Sequence, residues 1–240
     1  MTSHRPPVTP EAPKRSARQQ FYWQGLHVPF VAPWSDEEPL PTSLIKRVGP
    51  DGAEGIAYAD EVSGADRRDG NLWVRWPLLR GRGQPRLADI HPLRQRQAMS
   101  HMLCMVCATS TFNNDEFRRW GGKHLFIGRD VDGRPIRDGD VTDTPPVCLP
   151  CAVEAAEACP HLVKGHTAAL VERTEPWGVS GIVYDPRTLR PIPTKTKNGL
   201  TDVAFEDPAL RWTLAARDVV TLHGCTPVDL SELATLGVAA

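Results

Sequence analysis

The 240-residue chain has no long apolar run, no strong net charge and none of the short motifs that announce a common catalytic machinery. Each absence excludes something. No stretch approaches the ~18 continuous apolar residues of a membrane-spanning helix. The start, "MTSHRPPVTPEAPKRSARQQ", is basic but lacks the apolar run of ~7–15 residues that a secretory signal carries behind its charges, so export is not expected. A formal net charge of −1 gives no global attraction to nucleic acid or an anionic membrane. There is no GxSxG, no GxxxxGK[ST], no HExxH and no GxGxxG following a strand. "GRGQP", residues 81–85, is too short to cradle a phosphate. The HxE and PCxxC of the zinc deaminases are missing as well. No internal repeat stands out.

What the chain does have is punctuation. With 23 prolines and 19 glycines, many loops and short elements are expected. Residues 1–20 are polar, basic and aperiodic, and read as a disordered tail. "FYWQGLHVPFVAPW" then places five aromatic rings within 14 residues, as an arm draped over a core or a wall facing a ligand, with "HVPFV" as a short edge strand. "EGIAYAD" and "NLWVRWPLL" (71–79) read as strands. "HPLRQRQAMSHMLCMVC" reads as a short helix that delivers the chain into the first cysteine pair, with Leu93, Gln97, Met99 and Met102 as its stripe. "GKHLFIGRDVDG" reads as a strand entering a hairpin, with Leu125 and Ile127 on one face. The alanine- and glutamate-rich "CLPCAVEAAEAC" is a strong helix that Pro160 ends. "TAALVERTEP" and "GVSGIVYD" suggest two strands. "DPALRWTLAARDVVTL" (207–222) looks like an amphipathic helix capped by Asp207. "CTPVDLSELATLGV" closes the chain with an edge strand or turn and a last helical stretch. The pattern predicts an α+β fold, with mixed small sheets and short helices, as one domain over 21–240.

The cysteines carry the sharpest signal. Cys104 and Cys107 form one CxxC pair, Cys148 and Cys151 another. A two-residue spacer lets a tight turn aim both sulfurs at one ion about 2.3 Å away, and two such pairs close a four-thiolate shell around zinc. The second pair opens a helix, where free backbone N–H groups and the positive helix end favour thiolate. Paired thiolates on a metal also suit a reducing compartment, so the cytoplasm is the expected location. Cys159 lies about 12 Å along the helix axis from Cys151, too far to share its ion, and reads as a core thiol. His161 is open to an ordinary surface role or a second site. Cys225 is not expected to be a ligand.

A CxxC knuckle, a hairpin and then a helix bearing the second CxxC resembles the treble-clef group of zinc fingers. The resemblance covers residues 100–162 and needs an insertion, which "GRDVDGRPIRDGDVTD" would supply. It implies that Cys104 and Cys107 are knuckle ligands and Cys148 and Cys151 helix ligands. Treble clefs serve in ribosomal proteins, nucleases, transcription factors and interaction modules, so the resemblance implies a fold fragment rather than an activity.

Two further features bear on function. Between Arg67 and Arg96 eight arginines face only Asp69 and Asp89, a local excess of +6. Arg75, Arg80, Arg82, Arg86, Arg94 and Arg96 could line a face for nucleic acid or an acidic protein partner, or form a solvated surface. His124, with Asn113, Asn114 and Asp130 nearby, falls roughly where an HNH nuclease carries its histidine between two zinc pairs, though without the usual adjacent Asp-His or His-His. A small-molecule enzyme with a pocket bordered by Trp23, Trp34, Trp73 or Trp76 is the other alternative. The aspartates from Asp130 to Asp143 miss the EF-hand spacing. The expected role is a zinc-stabilised binding or scaffolding protein, away from the membrane.

Overall fold

The structure, a computed structural model, describes residues 18–49 and 51–238. The tail expected over 1–20 therefore lies outside the described residues, apart from its last three. The chain begins with an arm containing a two-residue ribbon, β1 (Tyr22–Trp23) and β2 (Leu26–His27). A hairpin follows, β3 (Leu44–Val48) and β4 (Glu54–Tyr58), then one helical turn, α1 (Ser63–Asp66), and the short pair β5 (Arg67–Arg68) and β6 (Asn71–Leu72). Helices α2 (Pro92–Ser100) and α3 (Asp115–Arg119) precede β7 (His124–Arg129), β8 (Val141–Thr142) and α4 (Leu149–Ala158). Strands β9 (His166–Val171), β10 (Arg173–Val183) and β11 (Thr201–Ala204) lead to a 3₁₀ turn, Pro208–Trp212. The chain ends with β12 (Thr213–His223), β13 (Thr226–Val228) and α5 (Leu230–Val238). This is a mixed α+β architecture of small antiparallel sheets and short helices.

Two sheets organise it, in the orders β13-β9-β7 and β11-β10-β12-β8. The period of two along β7 and β9 places successive side chains on opposite faces. Leu125, Ile127, Ala168 and Leu170 turn toward α4, α5 and the cysteines. Phe126, Ala169 and Val171 turn the other way, onto Met99, Met102, Val220 and Leu222. Both faces of this sheet are thus covered. That is why "HLFI" is continuously buried instead of alternating with polar residues.

Several expectations are corrected. Residues 213–222 are a strand, not the second half of an amphipathic helix. Asp207 does start a turn, its carboxylate accepting from the Ala209 N–H at 2.8 Å. The turn stops at Trp212, and the β-branched Thr213, Val219, Val220 and Thr221 continue as the central strand between β10 and β8. The spacing of Leu210, Leu214 and Val219 imitates a helical stripe only because β12 is buried on both faces. The run 71–79 yields just two strand residues plus a parallel bridge from Trp73 to Ala215. The strand at 124–129 does not turn into a hairpin; it pairs with β9. In the arm, the strand ends at His27 instead of running through Phe30. Helix α2 ends at Ser100 and turns Arg94, Gln95, Ala98 and Met99 inward; of the expected stripe Met99 and Met102 are buried, Leu93 is half-buried and Gln97 is exposed. Gln95 can be buried because its amide is fully engaged: it donates to the Asp143 and Asp218 carbonyls and accepts from the Asp218 N–H.

Strand β10 slips register against β12 at two places, between Pro176 and Gly178 and between Ser180 and Gly181. Both are irregularities in which backbone approaches backbone. A Cβ on Gly178 would sit 2.1 Å from the Val203 carbonyl oxygen, a rigid neighbour in the paired β11. Gly178→Ala should therefore destabilise the protein by about 1–3 kcal/mol, since the strain cannot be relieved by a side-chain rotation. Urea unfolding of the variant against the parent measures it.

Candidate metal centre

The first cysteine pair sits in a tight loop that α2 delivers. Cys104 donates its N–H to the Thr109 carbonyl and accepts at its carbonyl from Ala108, both at 2.8 Å. Ala108 adopts the left-handed conformation at φ 60°, which turns the chain sharply back. The Cys107 N–H points at the Cys104 sulfur, 3.5 Å away. The second pair straddles the start of α4: Cys148 is the residue before its first turn and Cys151 lies within it. The Leu149 N–H, one of the free donors at that helix end, is taken by the Glu116 carboxylate of α3 at 3.2 Å.

Backbone hydrogen bonds bring the pairs together. Met105 donates to the Pro146 carbonyl and Val147 to the Leu125 carbonyl, each at 2.9 Å, so the loop, the segment before α4 and β7 are tied side by side. The N-terminal arm completes the frame, Phe30 donating to Val106 and Val31 to Met105. The result is that all four sulfurs lie within 4.8 Å of one another. Cys107 and Cys148 are 3.7 Å apart. The edge of a tetrahedron with arms of 2.3 Å is about 3.8 Å, so this separation fits a shared ion. Packed so closely, the thiols share protons. Cys107 is drawn well below the usual thiol range by hydrogen bonds from Cys104, Cys148 and Cys151. Cys148 and Cys151 are pushed far above it, each chiefly by Cys104. Only a cation lets all four ionise together. The cluster is compatible with a zinc site.

The remaining cysteines and histidines are elsewhere. Cys159 ends α4 and is half-buried on a surface groove, not packed behind the cluster. His161 is exposed beside it. Cys225 is held by its own N–H donating to Asp138 at 2.6 Å. His124 is 3% exposed. Its Nδ1 donates to the Thr111 hydroxyl oxygen at 2.8 Å, and that hydroxyl in turn donates to the Met102 carbonyl. Phe112 and Phe117 pack against the imidazole, and burial pushes its pKa down to about 4. Asn114 caps α3 through the Phe117 N–H. These residues fasten the loop between the cysteine pairs.

Most of the arginine segment is engaged internally. Arg75 grips the Asp66 and Asp60 carboxylates and lies over the Tyr58 ring. Arg94 is buried in a bidentate pair with Glu37 at 2.6 and 2.7 Å. Arg96 covers Trp73 at 4.5 Å. Arg80 lies against Phe21 and Phe30 and donates to the Gln19 carbonyl. Arg86 pairs with Glu38. Arg82 is exposed, and among the described residues no side-chain partner faces it. The tryptophans are likewise dispersed. Trp34 stands edge-on to Phe21 with Trp23 beside it, Trp73 packs on Val179 and Ala215, and Trp76 stands against His91. They are core and arm residues of separate clusters and form no common wall.

Sequence reasoning missed His27, Gln20, Glu37 and Glu154. Glu154 is one helical turn after Cys151, a spacing that puts both on one face and could have been noticed. His27 arrives from the arm with no local signal. It faces Glu154 at 3.2 Å, beside Cys151, at one end of an apolar groove of about 240 Å³ along α4. No described helix is long and apolar enough to cross a membrane. Compared with protein-family models, with curated proteins and with solved structures, the chain finds no match in any of the three.

Proposed function

We propose that this chain is a zinc-stabilised binding or scaffolding protein, its four-thiolate centre built from the knuckle loop and helix start of a treble-clef-like frame whose hairpin is replaced by the pairing of β7 with β9. The single observation that carries the reading is the cysteine cluster. Four sulfur donors, mutually close and framed by a tight loop and a helix start, complete a tetrahedral shell and leave no position on that ion for a substrate. A closed shell stabilises a fold; it does not activate water. The use of His124 as a buried, doubly packed fastening is in keeping with this.

For the partner, we assign the outward part of the arginine-rich segment, the loop from Gly81 to Leu87. Arg82 and Leu87 are exposed there. A nucleic-acid face would need several free guanidinium groups, because each phosphate neutralised adds to affinity and to its salt dependence. With five of the six arginines occupied inside the protein, an acidic protein partner is favoured.

Two measurements test the reading. Purified protein should hold one firm zinc per chain, and the form in which that one ion alone is replaced by cobalt should show a thiolate-rich tetrahedral spectrum that added azide or imidazole leaves unchanged. A spectrum that shifts with such ligands would mean an open, catalytic centre. A salt titration with mixed DNA and RNA should show no binding that depends on Arg82 and Arg86. Tight low-salt binding lost in the Arg82→Glu, Arg86→Glu variant would make nucleic acid the partner instead.

A further inference from the structure

Beside the four-cysteine cluster is a second convergence of donors. His27 from the arm, Cys151 and Glu154 each offer one ligand atom, and the three atoms lie within 4.8 Å of one another. They stand at the end of the groove along α4, with Leu26, Pro29 and Ala155 among its apolar lining.

The hydrogen bonds around His27 fix how its ring is presented. The Gln20 amide nitrogen donates to two carbonyls, Arg18 at 2.7 Å and Cys107 at 3.1 Å. That settles which end of the amide is which, so the Gln20 amide oxygen is the atom 3.0 Å from His27 Nε2. An oxygen acceptor there requires the proton on Nε2. In the neutral ring, Nδ1 then carries a bare lone pair, and it faces a Glu154 carboxylate oxygen 3.2 Å away. Two lone pairs aimed at each other repel. Either the imidazole takes a second proton or a cation stands between the two. Ligand atoms about 2.0–2.1 Å from a tetrahedral zinc stand about 3.3 Å apart, and the 3.2 Å between His27 Nδ1 and Glu154 matches that spacing as well as it matches a long ionic hydrogen bond. The outward N–H held by an amide oxygen is also the usual support for a metal-binding histidine.

We propose that His27 Nδ1, a Glu154 carboxylate oxygen and the Cys151 sulfur hold a second zinc ion, with Cys151 bridging it to the ion of the four-cysteine cluster. The proposal rests on the four-thiolate reading for that bridge. The two sites differ in kind. The first is closed by four sulfurs in the core. The second has three protein ligands, one of them from the exposed Glu154, whose side chain is 45% accessible, against 7% for His27. Its fourth position is open and faces the groove. A neutral or anionic donor on a largely apolar molecule, such as a carboxylate or a thiolate, fits that position. The second ion is therefore the exchangeable one, and it couples the arm to α4.

The test is a zinc titration of the full chain, as purified, against a chromophoric chelator. The parent should already hold one zinc and take up one more. Glu154→Ala and His27→Ala should each keep the first ion and take up none. Gln20→Leu, which removes only the support for the ring, should weaken the second equivalent 10–100-fold and leave the first unchanged. Retention of the first zinc shows in each case that the fold has survived. A parent that stops at one equivalent would leave His27 and Glu154 as a plain ion pair and end the proposal, as would a Glu154→Ala variant that still takes up a second ion. A parent with no firm zinc that still takes up one ion through His27 and Glu154 would sink the four-cysteine reading alone.

Discussion

Cys104→Ser should unfold the protein at room temperature or leave it with a melting point far below the parent's, and release its zinc. A structural zinc contributes about 10–16 kcal/mol to folding at neutral pH, and a domain of this kind has about 5–15 kcal/mol in total. Cys104 is fully buried at the centre of a core that includes Val106, Val147, Leu149, Ala152 and Leu230. Loss of one thiolate therefore removes a metal ligand and leaves a hydroxyl among apolar neighbours. Thermal melting followed by circular dichroism, alongside elemental analysis, decides it. A variant that melts like the parent would make the metal peripheral. Excess chelator should reproduce the effect in the unmodified protein.

Glu37→Ala should also be strongly destabilising, at a site with no metal ligand. The Glu37 carboxylate is fully buried and takes four hydrogen bonds: two from Arg94 and one each from the backbone N–H groups of Trp34 and Leu79. Breaking a buried pair by deleting one member costs about 3–5 kcal/mol, because the other charge is stranded. Arg94 would be that charge. Glu37→Ala with Arg94→Met should recover much of the loss, and chemical denaturation of both variants measures the difference. The pair also sets a pH dependence. Burial pushes the Glu37 carboxyl upward, but the Arg94 hydrogen bond, the Trp34 N–H and the Arg94 charge outweigh it, and its pKa falls below the ordinary 4.5. A carboxyl with a depressed folded pKa stabilises the fold above 4.5, and that stability is lost as the pH falls through the folded value. A parent that loses more stability than Glu37→Ala as the pH is lowered from 4.5 is the expected result.

The sequence showed the parts of the centre that depend on local chemistry. Two CxxC spacings and an alanine-rich helix after the second are short-range features, and all four sulfurs meet as their spacing predicts. Asp207 was legible as a cap for the same reason. What followed Asp207 was not, because whether "TLAARDVV" becomes helix or strand is settled by β10 and β8 alongside it, and apolar residues on both faces erase the period that distinguishes the two. The arginines misled in a similar way. A composition count shows +6 between residues 67 and 96, but Arg94 finds Glu37 57 positions away, and Arg75 finds Asp60 and Asp66 beyond the counted charges or outside them in register. His27 and Glu154 are 127 positions apart, and no pattern in either neighbourhood names the other.

Strands β9 and β10 are one backbone interrupted only at Glu172, whose N–H is bonded to His223 at the end of β12. The first half of that backbone belongs to the sheet packed on the cysteine cluster, the second to the four-stranded sheet of β11, β10, β12 and β8. There is no loop between them to absorb a local opening. Slackening around the cysteines therefore passes directly into the long β10–β12 ladder, and the two sheets open as a single cooperative unit. On the zinc-site reading, a metal-starved chain should expose both sheets at once to the proteases that clear unfolded protein.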